Sequence, residues 1–93
     1  MNSEMLRVEK EDERGVMYDC GSGWSLIIRK KGTVSADHEH EESEIIIFLD
    51  GEVELTVGKE TRLIKELCEV HIPANIYHKL VAHTDIKLLH YRV

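Results

Sequence analysis

What most constrains this chain is the shortness of its apolar runs. None is longer than the five residues Ile45 to Leu49, and the runs are closed by glycine, by Asp-Gly or by the single proline, Pro73. Segments punctuated so closely fit strands, which need only a few residues, better than helices, which need ten or more. Val16 to Cys20 and Trp24 to Lys30 flank the turn cluster Gly21-Ser22-Gly23. Glu44 to Leu49 runs into Asp50-Gly51, a two-residue hairpin signal, and Glu52 to Val57 then alternates strictly polar and apolar. Gly58-Lys59 turns the chain into Glu60 to Lys65. Val70 to Ile72 ends at Pro73, and Ile76 to Ala82 and Ile86 to Val93 follow, with Thr84-Asp85 between them. Leu63, Ile64 and Leu67 could also mark a helical turn, so Lys59 to Glu69 is ambiguous. The charge run Glu9 to Arg14 reads as a solvated loop between two short strands. The expected fold is all-β, with about eight to ten short strands packed as two sheets or closed into a barrel so that few edges stay open.

The 93 residues suit one domain over 1–93. A chain this short buries a modest share of its surface, so a bound metal or a second subunit would add stability. Its apolar fraction of 42% and charged fraction of 32% are those of a folded soluble protein. The net charge of −6, with no cluster of Lys and Arg interleaved with aromatics, argues against a nucleic-acid surface and against anionic membranes. The start Met-Asn-Ser-Glu-Met-Leu-Arg has no apolar signal core, and Cys20 and Cys68 form no Cys-x-x-Cys pair. The expectation is a cytoplasmic protein with two buried, reduced thiols.

The segment richest in chemistry is Asp37-His38-Glu39-His40-Glu41-Glu42-Ser43-Glu44. Residues two apart on a strand share a face at a spacing of roughly 6.5–7 Å. Two imidazoles so placed can lean onto one ion at about 2.0–2.1 Å. On a helix the same pair would diverge by about 200°. Glu44 has the parity of His38 and His40, and a carboxylate leading an apolar run needs either exposure or a partner. His78 projects from an otherwise apolar face containing Ile76 and Leu80. Alone it reads as a hydrogen-bonded core histidine; beside the other three it reads as a fourth ligand. The competing account of His38 and His40 is an acidic surface loop that happens to contain two histidines.

These residues resemble a known pattern. Gly32, five residues, His38, one residue, His40, three residues, Glu44, six residues, Gly51 is similar to the first motif of the cupin superfamily, and Pro73 to His78 is similar to the second. Leu67, Asn75 and Ala82 depart from that second motif, which has Gly, Gly and Asn there. Asparagine tolerates the positive φ that such a glycine serves. The resemblance implies a small single-domain cupin: a double-stranded β-helix, or jelly-roll, barrel. It further implies one mononuclear metal held by His38, His40, Glu44 and His78, with Fe, Mn, Ni or Zn as candidates. The donor types agree with a first-row divalent metal without choosing among them.

By parity Ile46 and Phe48 lie on Glu44's face, and Ile76 and Leu80 on that of His78, so these four are expected to line an apolar pocket. His90 and Tyr91 are candidates to orient a ligand there. His71 and His83 are expected on the surface. Ile45, Ile47 and Leu49 make the opposite face of the same strand apolar, and such a strand needs cover on both sides. A second protomer, giving a homodimer, is one candidate cover, and the N-terminal strand Met5 to Val8 is the other. Three functional readings stay open. One is a metal-dependent oxygenase or isomerase acting on a small organic ligand. Another is a small-molecule-binding or sensor module. The third is a structural domain whose metal only holds the barrel closed.

Overall fold

The computed structural model describes residues 1–37 and 41–92. His38 and His40, two of the four expected ligands, therefore lie outside the described residues. The strands are β1 (Arg7–Asp12), β2 (Gly15–Gly21), β3 (Trp24–Arg29), β4 (Val34–Asp37), β5 (Glu44–Asp50), β6 (Val53–Val57), β7 (Glu60–Ile64), β8 (Cys68–Ile72), β9 (His78–Ala82) and β10 (Ile86–Arg92). They form a six-stranded sheet in the order β1-β2-β3-β10-β5-β8 and a four-stranded sheet in the order β4-β9-β6-β7. All pairings are antiparallel. The expected all-β jelly-roll architecture is what the chain adopts.

The core fills the space between the sheets. Ile27, Ile46, Phe48 and Leu88 enter it from the large sheet, and Val53, Leu55, Leu80 and Ala82 from the small one. Each set follows from strand parity: Glu44, Ile46 and Phe48 are buried on β5 while Ile45 and Ile47 are half-buried. His71 and His83 are exposed, as expected, with Glu69 and Glu54 as their ion-pair partners. Cys20 and Cys68 are free thiols, but not the buried ones expected: Cys20 is exposed near the end of β2 and Cys68 is half-buried at the start of β8.

Four further expectations need correcting. Asp50-Gly51 is not a hairpin turn. β5 pairs with β10 and β8, and β6 with β7 and β9, so the chain changes sheet at this corner. The corner is held by the backbone and a side chain of another turn: Glu52 N–H donates to the Thr84 hydroxyl Oγ1 at 3.0 Å, and His83 N–H to the Glu52 carbonyl at 2.9 Å. A local dipeptide signal cannot tell a turn within one sheet from a corner between two.

The charge run is not a loop either, because Glu9 to Asp12 belong to β1. That strand lies at the sheet's edge, and its charged side chains keep the edge soluble. Lys59 to Glu69 holds β7 and the start of β8 and no helical turn. Finally, the N-terminal strand does not cover Ile45 and Ile47. It pairs with β2, three strands away from β5.

The departures from the second motif have local explanations. Asn75 takes a φ of 59°, the left-handed conformation the glycine would otherwise supply. Leu67 lies exposed between β7 and β8. Ala82 is buried, and its backbone bonds both Gly32 N–H and the Thr33 carbonyl, at 2.8 and 3.0 Å.

Gly51 combines a φ of 95° with close approach, since a Cβ there would stand 2.3 Å from the Asp85 carbonyl oxygen. Gly51→Ala is expected to cost about 3 kcal/mol or more in denaturant unfolding. Gly32→Ala, with a φ of 87° but nothing within 4 Å, is expected to cost only about 1–2 kcal/mol. Equal losses would show that backbone conformation alone matters at the corner.

Candidate functional site

Between the sheets lies a cavity of about 420 Å³, a volume suited to a small organic molecule. The large sheet lines it with Ile27, Ile46, Leu88 and His90 among others, and the small sheet with Leu55, His78 and Leu80. Its walls are thus apolar, with a few convergent polar groups.

The polar centre is Glu44, the first residue of β5. Only 2% of it is exposed. A buried carboxylate must be compensated, and among the described residues three basic groups reach it. Arg92 is its direct cross-strand partner on β10, and Arg92 Nε donates to Oε1 at 3.2 Å. His90, two residues earlier on the same face, brings Nε2 within 3.1 Å of Oε1. His78, the first residue of β9, comes from the opposite sheet and brings Nε2 within 3.2 Å of Oε2.

The second nitrogen of His78, Nδ1, lies 3.4 Å from the Ile76 carbonyl. A carbonyl oxygen can only accept, so a proton on Nδ1 turns the Nε2 lone pair toward Glu44 and toward any metal ion held between them, whereas a proton on Nε2 is donated to Glu44 Oε2.

Glu44 and His78 are therefore brought together. His38 and His40 lie outside the described residues. Among the described residues, no three His, Cys, Asp or Glu side chains form a group that could hold a metal ion. The donors that are present, a carboxylate oxygen beside an imidazole nitrogen, fit a first-row divalent metal in chemistry.

Of the expected lining residues, Ile46, Leu80 and His90 face the cavity. Phe48 is not among the lining residues. It continues the inward face one step beyond Ile46, opposite Leu88 and Cys68, and is packed in the core. Ile76, just before β9, packs against the core instead. Tyr91 has the opposite parity to His90 and stacks on Trp24 on the outer face, with ring centroids 5.1 Å apart.

Sequence reasoning missed Arg92 and Arg29. Arg92 continues the inward series Ile86, Leu88, His90, and Arg29 follows Ile27 by two. Both signals were available in parity, but a charged residue at a strand end reads as solvent-exposed.

The comparisons with known proteins bear on this arrangement. Three structural neighbours illustrate it. A protein of unknown function from Streptococcus pyogenes, SPY1581, superposes with a TM-score of 0.71 at 21% identity, over 96% of this chain and 72% of that one. The plu4264 protein from Photorhabdus luminescens gives 0.76 at 16% identity, over 99% and 82%. Salicylate 1,2-dioxygenase from Pseudoaminobacter salicylatoxidans gives 0.70 at 17% identity, over 74% of this chain but only 20% of that one. At such identities the likeness is one of fold. No curated protein matches the chain in sequence. The cupin-domain family model matches residues 25–90, which take in β3 to most of β10 and with them Glu44, His78 and His90, and on that match the chain belongs to the cupin family.

Proposed function

We propose that this cupin binds one divalent transition metal with Glu44 and His78, joined by His38 and His40, and acts on a small organic ligand in the cavity beside it. The observation that carries this reading is the contact between Glu44 Oε2 and His78 Nε2. Two metal-ligating side chains from opposite sheets, both buried, bring a carboxylate oxygen and an imidazole nitrogen within 3.2 Å of each other, a pair of donor types that suits a shared metal ion. A metal bound there supplies Lewis-acid or redox chemistry, which suits an oxygenase or an isomerase. The chain's own residues do the rest. Leu55, Leu80 and Leu88 shield a ligand from water, while His90 and Arg92 hold the Glu44 carboxylate in place through Oε1. A second reading, a metal-free binding module, draws on the same cluster, because a hydrogen bond from His78 Nε2–H to Glu44 also satisfies the carboxylate.

We further propose that two copies associate through the outer face of the large sheet. Ile45, Ile47 and Leu89 lie there beside the Trp24–Tyr91 pair, half-buried and covered by no other described element. A self-complementary contact would cover this face on both copies at once, and aromatic residues are favoured at such interfaces. The wild type is expected to run at twice the chain mass in light scattering, and Ile47→Glu at the chain mass. A wild-type monomer at every concentration would refute the association.

Elemental analysis of the purified protein beside a Glu44→Ala/His78→Ala variant tests the metal. About one iron, manganese, nickel or zinc per chain is expected, lost in the variant. Because removing Glu44 also strips a partner from two basic groups, the same question is put to the intact wild type. Chelation should lower its melting temperature, and the missing metal should restore it. No metal, and no shift on adding any of the four, would leave the binding module as the correct reading.

A further inference from the structure

The charge of the cavity is at odds with that of the chain. The sequence holds 12 Lys and Arg against 18 Asp and Glu. Among the described residues lining the cavity are four of the former, Lys10, Arg14, Arg29 and Arg92, and one of the latter, Glu44. Glu44 is already engaged by Arg92, His78 and His90, so it does not compensate the other three cations.

Arg14 and Arg29 are the pair of interest. Both are half-buried, and neither forms an ion pair among the described residues. Arg29 donates only a long bond, 3.4 Å, to the Ile28 carbonyl. Asp12 is near, but its carboxylate accepts from the Arg14 backbone N–H at 2.9 Å. That bond, more than the neighbouring cations, holds its pKa down. Burial pushes the Arg29 guanidinium below its usual range, and the adjacent Arg14 charge pushes it further, against the opposing pull of Asp12. Arginine nevertheless stays protonated in proteins. Two guanidiniums thus share the nearby Asp12 carboxylate at a partly desolvated surface, leaving a net positive charge that a further anion would relieve.

The strand register places this pair relative to Glu44. Arg29 lies opposite Ile86 at the start of β10, whereas Glu44 lies opposite Arg92 at its end. Between them on the inner face stand Ile27 and Leu88, themselves cross-strand partners. The cavity is therefore cationic at one end, apolar in the middle and carries the Glu44–His78 pair at the other. Guanidinium forks match carboxylates with paired hydrogen bonds.

We propose that the ligand of this cavity is a small organic carboxylate, its anionic group held by Arg14 and Arg29 and its apolar body lying along Ile27 and Leu88 toward Glu44. The assignment rests on the cavity being the ligand site, as proposed above, and not on the metal.

Calorimetric titration of the full chain tests it, with 4-phenylbutanoate, the isosteric 4-phenylbutanamide and 3-phenylpropyl phosphate as probes. The carboxylate is expected to bind at least about tenfold more tightly than the amide. Arg29→Gln and Arg14→Gln should each remove most of that preference. Arg7→Gln, which deletes an exposed β1 charge paired with Asp19, should leave it intact. Melting curves of the variants separate lost binding from lost folding, and Arg29→Lys, which keeps the charge but not the fork, should recover only part of the preference.

Equal binding of carboxylate and amide, no binding of any probe at millimolar concentration, or an equal loss in Arg7→Gln would overturn the proposal. Tighter binding of the phosphate would overturn the carboxylate assignment. Metal content measured on the same samples keeps the two readings apart. A metal-loaded protein without carboxylate preference sinks only this inference. Arginine-dependent carboxylate binding by metal-free protein supports it and leaves the metal to the chelation and add-back test above.

Discussion

The buried carboxylate of Glu44 is the constraint around which this molecule is arranged. A negative charge with 2% exposure is tolerable only if cations reach it, and the fold delivers them from two directions. Arg92 and His90 arrive along the neighbouring strand of the same sheet, and His78 arrives from the other sheet. The Glu44–His78 contact is thus a polar tie across an interface that is otherwise apolar. Hydrophobic burial brings the two sheets together without specifying how they align; a short contact between directional groups is sensitive to their offset.

The same arrangement explains why the groups that compensate Glu44 within its own sheet lie on β10. This strand sits between β3 and β5 at the middle of the large sheet, so Leu88 and His90 have partners on both sides, while Arg92 meets Glu44 on β5. Ile86 and Leu88 build core, and His90 and Arg92 build the polar end. A change from apolar to basic along one face converts a packed interior into a site without any change of backbone geometry.

Much of this was legible in the sequence because strand parity is a strong physical signal. The alternation of β5 and β9 places Glu44, Ile46, Leu80 and His78 on inward faces, and the positive φ of Asn75 follows from its place after Pro73. The failures share a cause: each depends on what a segment meets rather than on the segment. Asp50-Gly51 has the composition of a hairpin turn, and only the partners of β5 and β6 show that it joins different sheets. Glu9 to Asp12 has the composition of a loop, yet an edge strand tolerates charge because one side of its backbone has no partner strand. Arg29 and Arg92 look like surface residues until the cavity is seen to receive them. The reading of His38 and His40 lies outside the described residues.

The central position of β10 also shapes how the chain comes to be folded. It is the last of the ten strands to be synthesised, yet it fills the slot between β3 and β5. The hairpins β1–β2–β3 and β6–β7 can close locally as the chain emerges, but the large sheet cannot be completed from them. Until β10 arrives, β3 and β5 present open hydrogen-bonding edges and an uncovered apolar face, the features that promote aggregation of nascent chains. Completion of the large sheet must therefore wait for β10, its rate governed by closure of a long loop rather than by any one turn. A strand that docks last between two waiting edges is also the one whose loss would divide the sheet in two.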